Sequence, residues 1–301
     1  PLVGQLQSEL PSTQEWAAAA MQSLSQDCIS NCLSLVKVGA IDPLVQLLGS
    51  ESADTQLYTQ GALLNISLPN KETRAAVVKP LVGLLEVRNA TAQMKAAESL
   101  AMLASRSAEN RTVIAQAGAI PALITLLGDG RNVGKSQIRA AATICDLARV
   151  SENKQAIVNA GGVQPLVTML TSSSVEAQTR ASGALWHLSS STSAQGLIAN
   201  ASGIELLVGL LTSERVAAAN NAACALYHLA TNNINKEALV KVGSSSHAAN
   251  YCRPTPLHIP VVRAGLAACA FDLLSLAYAH VCVMQAGGIV PLVNLLNRTQ
   301  S

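Results

Sequence analysis

Apolar residues along this chain fall into short runs that recur in a fixed order. One run, Pro43-Leu-Val-Gln-Leu-Leu48, returns as Pro121-Ala-Leu-Ile-Thr-Leu-Leu127 and as Pro165-Leu-Val-Thr-Met-Leu170. Looser copies start at Pro1, Pro80, Gly203 and Pro291. A second run, Gly183-Ala-Leu-Trp-His-Leu188, returns as Cys224-Ala-Leu-Tyr-His-Leu229 and as Gly61-Ala-Leu-Leu-Asn-Ile66. Their apolar positions have helical spacing, so each run predicts a helix with one buried face. Gly39, Gly118 and Gly161 precede the proline runs. Glycine ends a helix in the left-handed conformation, and proline opens the next, where its missing N–H is not needed. A third recurring pair, at Asn70-Lys71, Asn110-Arg111, Asn153-Lys154 and Asn235-Lys236, leads into a short apolar stretch and reads as an N-cap.

The expected unit is therefore three helices: a short one from Asn-Lys, a second at the proline run and a longer third. Anchoring on the leucine after the proline position gives Leu2, Leu44, Leu81, Leu123, Leu166, Leu207 and Leu292, with steps of 42, 37, 42, 43 and 41 before a final double step. A fixed period of this size marks a stacked array, which can absorb the whole chain as one body. The step of 37 lacks the glycine turn, since Ala75-Ala-Val-Val78 runs into Lys79-Pro80. The first two helices of that unit should be joined more tightly there, altering the local twist. Pro254, Pro256 and Pro260 break helix formation, so 243–262 is expected to be an irregular loop in a degenerate repeat. About seven repeats result, with 1–38 a partial first repeat and 287–301 a partial last one. Neither end shows a cap with a polar outer face, and no initiator Met is present. A processed or partial chain, or ends covered by something else, is expected.

The Gly-Ala-Ile-x-Pro-Leu-Val-x-Leu-Leu and Ala-Leu-x-Asn-Leu phrases resemble the armadillo repeat family along essentially the whole chain. That resemblance implies an all-α, right-handed superhelical solenoid of three-helix repeats of about 42 residues. It further implies a concave groove lined by the third helices, with the asparagine of the last phrase facing it. Carried over by position, the groove residues are Ser23, Asn65, Met102, Asp146, His187, His228 and Ser275. The residues just before them, including Gln22, Leu64, Cys145, Trp186 and Tyr227, are partly groove-facing. Two turns earlier on the same face come Trp16, Tyr58, Lys95, Arg139, Arg180, Asn221 and Ala268. Asparagine can pair with both N–H and C=O of an extended peptide, and an aromatic beside it packs the peptide's side chains. The aromatic–histidine pairs at 186–187 and 227–228 are the first place to look. Nuclear-import receptors of this family carry tryptophan four residues before each groove asparagine. Those positions here are Ala19, Gly61, Glu98, Ala142, Gly183, Cys224 and Phe271, so reading of basic localisation peptides is not expected. Gly61-Ala-Leu-Leu-Asn-Ile-Ser67 and Ser151-Glu-Asn-Lys154 also look like vacuolar armadillo adaptors and plant U-box armadillo proteins.

Composition narrows the function. Half of the residues are hydrophobic and only 13% are charged, which excludes a disordered chain and suggests extra hidden surface. A net charge of +2 gives no electrostatic case for nucleic acid. No apolar run reaches membrane-spanning length. Seven irregularly spaced cysteines suit reduced thiols in a cytoplasmic compartment, with a nuclear or assembly-bound location as the variant. Gly128-Asp-Gly130-Arg-Asn-Val-Gly134-Lys135-Ser136 looks like a phosphate loop, but Asp129 stands where the first glycine belongs and helices flank it. His247, Cys252 and His258 match no common zinc spacing, so no metal or other cofactor is expected. His187 has Asp146 one repeat away, roughly 10 Å by helix spacing, which is too far for a catalytic pair. Asn65-Ile-Ser67 is a glycosylation sequon that falls inside a helix.

The expected function is a non-enzymatic interaction scaffold or adaptor. Its partners are proteins: an extended peptide or helix in the groove, or neighbouring subunits at the uncapped ends. No small-molecule substrate is expected. The alternatives are a structural subunit embedded in a large assembly and the substrate-recruiting part of a ubiquitin ligase.

Overall fold

Apart from the unit around Pro80, where the first two helices are one, the expected three-helix pattern is present among the described residues. The computed structural model describes residues 1–128, 130, 133–211, 213 and 215–244. The expected partial repeat at 287–301, most of the 243–262 loop, and Ala268, Phe271, Ser275, His247, Cys252 and His258 lie outside these residues. Among the described residues, all regular structure is α-helix.

The order is α1 (Leu2–Gln5), α2 (Pro11–Ser25), α3 (Ile29–Lys37), α4 (Ile41–Leu47), α5 (Ala53–Ser67), α6 (Lys71–Leu84), α7 (Ala90–Arg106), α8 (Ala108–Gln116) and α9 (Ala119–Leu127). It continues with α10 (Lys135–Leu147), α11 (Ser151–Asn159), α12 (Val163–Met169), α13 (Val175–Ser189), α14 (Thr192–Asn200), α15 (Gly203–Leu210), α16 (Val216–Leu229) and α17 (Asn233–Ser244). Contacts divide the chain into two compact units. The first holds Pro1–Gly128 and Gly134–Ala160; the second holds Gly130, Val133 and the described residues between Gly161 and Ser244.

In the first unit, α2, α5, α7 and α10 are the long third helices. α2 packs closely on α5, and α7 on α10. Small residues permit that approach: Ala17, Ala18, Ala62, Ala96, Ala97, Ala140 and Ala141 are buried along these helices. The second helices insert apolar rows between them, with Leu44, Leu48, Leu81 and Leu123 fully buried. In the second unit, α13 packs on α16 in the same way, over Leu166, Ile198 and Leu207.

The junctions follow the glycine rule. Gly39, Gly118 and Gly161 have φ of 73°, 85° and 79°. Pro43, Pro121 and Pro165 sit at the third residue of their helices rather than the first, still inside the turn whose N–H groups need no partner. Where α14 meets α15, the left-handed residue is Ser202, with φ 60°. Glycine follows it, because a Cβ on Gly203 would lie 2.6 Å from the Ile198 carbonyl oxygen.

Three sequence expectations need correction. First, the short unit does not merely tighten its joint: its first and second helices fuse into one helix, α6, with Pro80 inside it. In consequence α5 and α7 meet at far fewer places than α2 and α5 do. Second, α17 continues through Gly243 and Ser244, where the sequence predicts the start of the irregular loop. Third, only Asn70 is the N-cap expected of the recurring asparagines. Its Oδ1 accepts from Thr73 N at 2.9 Å, completed by the Thr73 hydroxyl in a capping box. Asn110 and Asn153 lie inside their helices and are buried. The Asn110 side chain donates to the Leu103 carbonyl at 2.6 Å, and Asn153 to those of Leu147 at 3.1 Å and Arg111 at 3.5 Å. These asparagines tie each first helix to the last turn of the third helix before it.

Candidate third-helix interface

Each third helix buries one side and leaves a solvent-facing stripe. In the first unit the stripes run through Trp16 and Ser23 on α2, Tyr58 and Asn65 on α5, Lys95, Glu98 and Met102 on α7, and Arg139 and Asp146 on α10. In the second unit they run through Glu176, Arg180, Trp186 and His187 on α13, and Asn221, Tyr227 and His228 on α16. The structure thus distributes the predicted residues over two units, with Asp146 in the first and His187 in the second.

The first unit presents two kinds of surface. Trp16 is 74% exposed and Leu57, just before Tyr58, is 60% exposed. On the neighbouring pair of helices, Glu98 sits between two cations. Its carboxylate oxygens lie 3.2 Å from Lys95 Nζ and 3.5 Å from Arg139 Nε, and all three side chains are partly buried. Asp146 pairs with Arg149 at 3.8 Å within α10.

The second unit repeats an aromatic–imidazole doublet on adjacent helices. Trp186 stacks on His187 with centroids 4.5 Å apart, and Tyr227 meets His228 edge-on at 5.5 Å. Tyr227 is 41% exposed; Trp186 and both imidazoles are half-buried. Arg180 pairs with Glu176 one turn away at 3.9 Å. The Cys224 thiol, on the same helix as Tyr227, has its pKa raised by burial.

Asn65 and Asn221 perform the same local task in the two units. Asn65 Nδ2 donates to the Gln22 carbonyl at 3.4 Å and to the Ser25 hydroxyl at 3.3 Å, and Ser25 donates back to that carbonyl. Asn221 Nδ2 donates to the Thr179 carbonyl at 3.1 Å and to the Ser182 hydroxyl at 3.4 Å, and Ser182 donates back to Thr179. Each asparagine therefore spends its nitrogen on the preceding third helix.

A related set of donors escaped sequence reading. Cys32 Sγ donates to the Ser25 carbonyl, and more weakly to that of Asn65 at 3.7 Å. Gln195 Nε2 donates to the Ser189 and His228 carbonyls, both at 3.0 Å. Cys32, Asn110, Asn153 and Gln195 occupy matching places in their first helices. They share only the ability to donate, so no single letter recurs. The recurrence of asparagine at two of these places was the available signal.

Other candidates resolve simply. Gly134 and Lys135 lie where α10 begins, and Gln137 Oε1 accepts from Gly134 N at 3.0 Å and from the Ser136 hydroxyl at 3.1 Å. The glutamine thus already occupies a backbone donor that a phosphate would use. Ser67 of the sequon is buried in α5 and donates to the Leu64 carbonyl. Among the described residues, no three His, Cys, Asp or Glu side chains gather as a metal site. Among them, too, no helix is long and apolar enough to cross a membrane.

Known proteins place this geometry. The family model for the armadillo/beta-catenin-like repeat matches residues 30–68 and 151–190. The first match runs from the second residue of α3 to just past α5, and the second takes in the residues of α11, α12 and α13. Vacuolar protein 8 of Candida albicans is 33% identical over 156 residues, 49% of this chain; the match spans about a quarter (26%) of that protein. An engineered protein solved by crystallography is 32% identical with a TM-score of 0.72, across 98% of this chain and 73% of that one. A designed armadillo repeat protein in complex with the peptide (KR)4 is 25% identical with a TM-score of 0.59, across 76% of this chain and 98% of that one. The chain belongs to the armadillo repeat family, and its fold is the all-α armadillo solenoid.

Proposed function

We propose that this chain is a non-enzymatic protein-interaction scaffold that holds an extended segment of its partner against its third helices. The observation that carries this reading is the doublet on α13 and α16. Trp186 beside His187, and Tyr227 beside His228, put a large apolar face next to a hydrogen-bonding ring on two closely packed helices. An extended peptide offers side chains for the first and backbone N–H and C=O groups for the second. Asn221 on α16 adds its Oδ1, and Arg180 on α13 adds a cation at the neighbouring register. Trp16, Tyr58, Asn65, Arg139 and Asp146 play the corresponding parts in the first unit.

The relatives support the reading. Similar solved structures include computationally designed armadillo repeat proteins for modular peptide recognition and one in complex with a peptide. Among the described residues, Cys28, Cys32 and Cys224 are free thiols, which fits a reducing compartment such as the cytoplasm. The test compares partners captured by wild type and by the double variant Trp186→Ala, Tyr227→Ala, identified by mass spectrometry. Loss of specific partners from the variant is expected. An unchanged partner set overturns the assignment of this face.

A further inference from the structure

The tie from a first helix to the third helix before it is made by an amide at Asn110, Asn153 and Gln195, but by a thiol at Cys32. Cys32 Sγ donates to the Ser25 carbonyl at the end of α2 at 3.2 Å and, more weakly, to the Asn65 carbonyl on α5 at 3.7 Å. Asn65 Nδ2 also anchors on the Ser25 hydroxyl, so one small network joins α2, α3 and α5. Unlike an amide, a thiol is readily oxidised. A second thiol stands one turn away. Cys28 is the N-cap of α3, and its carbonyl accepts from Cys32 N at 3.1 Å. Cys28 is partly exposed, whereas Cys32 is 2% exposed. Both are free, and the Cys32 pKa is raised first by burial and then by Cys28, which marks the two sulfurs as electrostatic neighbours.

We propose that Cys28 and Cys32 are a site of reversible oxidation by hydrogen peroxide, and that the disulfide they form cuts the tie from α3 to α2 and α5. Peroxide meets the more accessible sulfur first. The Cys28 thiolate attacks one peroxide oxygen, the O–O bond breaks, and Cys28 becomes a sulfenic acid. The second oxygen leaves as hydroxide and takes up the proton that the Cys28 thiol released, giving water. The Cys32 sulfur then attacks the Cys28 sulfur, the S–O bond breaks, and the hydroxyl leaves with the Cys32 proton as a second water. Two thiols are oxidised to one disulfide and one peroxide is reduced. Cys32 has then lost the S–H with which it donated. Residues four apart on a helix have Cβ atoms about 5–6 Å apart, and a disulfide needs about 3.8 Å. Cys28 has extended dihedrals, φ −127° and ψ 98°, so the difference is closed by turning the end of α3 rather than bending its interior. The ties at Asn110, Asn153 and Gln195 carry no thiol, so the effect is confined to α2, α3 and α5. It does not depend on what the third helices bind.

The experiment treats the full chain with a small excess of hydrogen peroxide, digests it with trypsin without reduction, and weighs the peptides. Cys28 and Cys32 are the two cysteines of the tryptic peptide that ends at Lys37. That peptide should lose two hydrogens and regain them with dithiothreitol. Amide hydrogen exchange of the oxidised protein should quicken about fivefold across the end of α2 and the start of α3, the factor for one lost hydrogen bond. Exchange in α8, α11 and α14 should stay unchanged. Cys28→Ser should prevent both the mass change and the faster exchange. Cys32→Asn, which supplies the amide used in α8 and α11, should exchange like the reduced wild type with or without peroxide. A peptide that keeps its mass, or gains oxygen without forming the disulfide, overturns the proposal. So does a disulfide that leaves exchange unaltered or quickens it equally in all four first helices. Wild-type protein, oxidised and then reduced again, gives the deciding readings, so they stand even where a variant fails to fold.

Discussion

Asn153 offers a direct test of how the repeats are tied together. It is 5% exposed, and its Nδ2 reaches the Leu147 carbonyl at 3.1 Å and the Arg111 carbonyl at 3.5 Å. Replacing it by alanine removes one good and one weak hydrogen bond. The Leu147 carbonyl keeps the Val150 N–H at 3.1 Å, so it is not orphaned. The loss is then close to the net value of the bonds, about 1 kcal/mol. The missing amide atoms add a few tenths more, for a total of about 1.5 kcal/mol. For a domain of this size that lowers Tm by about 3–6 °C. Asn153→Asp is the sharper probe. A carboxylate can only accept, and it would face two carbonyl oxygens in a site with little water. Its cost should reach about 3 kcal/mol. Its pKa in the folded protein must rise above the unfolded value, so the native state binds the extra proton. Stability relative to wild type should therefore recover as pH falls through that raised pKa, where the neutral acid can donate. The control is Asn159→Ala, whose exposed side chain only accepts from Gln155 and should shift stability by less than about 0.5 kcal/mol. Urea unfolding followed by circular dichroism at several pH values reads all three variants. If Asn153→Asp is no worse than Asn153→Ala, or if both match the control, the donor role assigned to Asn153 is wrong.

Three further predictions can be checked separately. Asn70→Ala breaks the capping box of α6 and should cost about 1 kcal/mol, read as a lower unfolding midpoint. The Glu109 carboxyl is held below its usual pKa first by its own backbone N–H and then by the Ser107 hydroxyl; Ser107→Ala should raise it only part of the way back in an NMR titration, and full recovery would contradict that order. The Cys32 thiol has its pKa raised by burial and then by the nearby Cys28, so alkylation of native protein at pH 8 should label Cys28 well before Cys32, as mapped by peptide mass; equal labelling would refute the buried position.

The repeat and its helix junctions were legible because they rest on properties each residue carries alone. Gly39, Gly118 and Gly161 announce a left-handed backbone, and the apolar rows announce a buried face. The rows of exposed residues could be read because third helices repeat in register. What could not be read was set by partners far away in sequence. Asn110 and Asn153 look like caps by residue type, but their donors are claimed by carbonyls of the preceding third helix. Asn65 and Asn221 look like free peptide-reading groups, yet each has given its nitrogen to an adjacent helix. The fusion of α6 was only half legible. The short step showed that something was missing, but not that Pro80 would be accommodated within a continuous helix.

That fused helix also has a mechanical consequence. Within the first unit, close packing joins α2 to α5 and α7 to α10, while α5 and α7 meet directly at few places, the hydrogen bond from Gln60 to Ser99 at 3.1 Å among them, and are joined mainly through α6, which packs on both. Two closely packed pairs are thus coupled through a single helix. Stretching force applied along this unit passes from one pair to the other through α6, so that helix carries the load that direct contact between third helices carries within each pair.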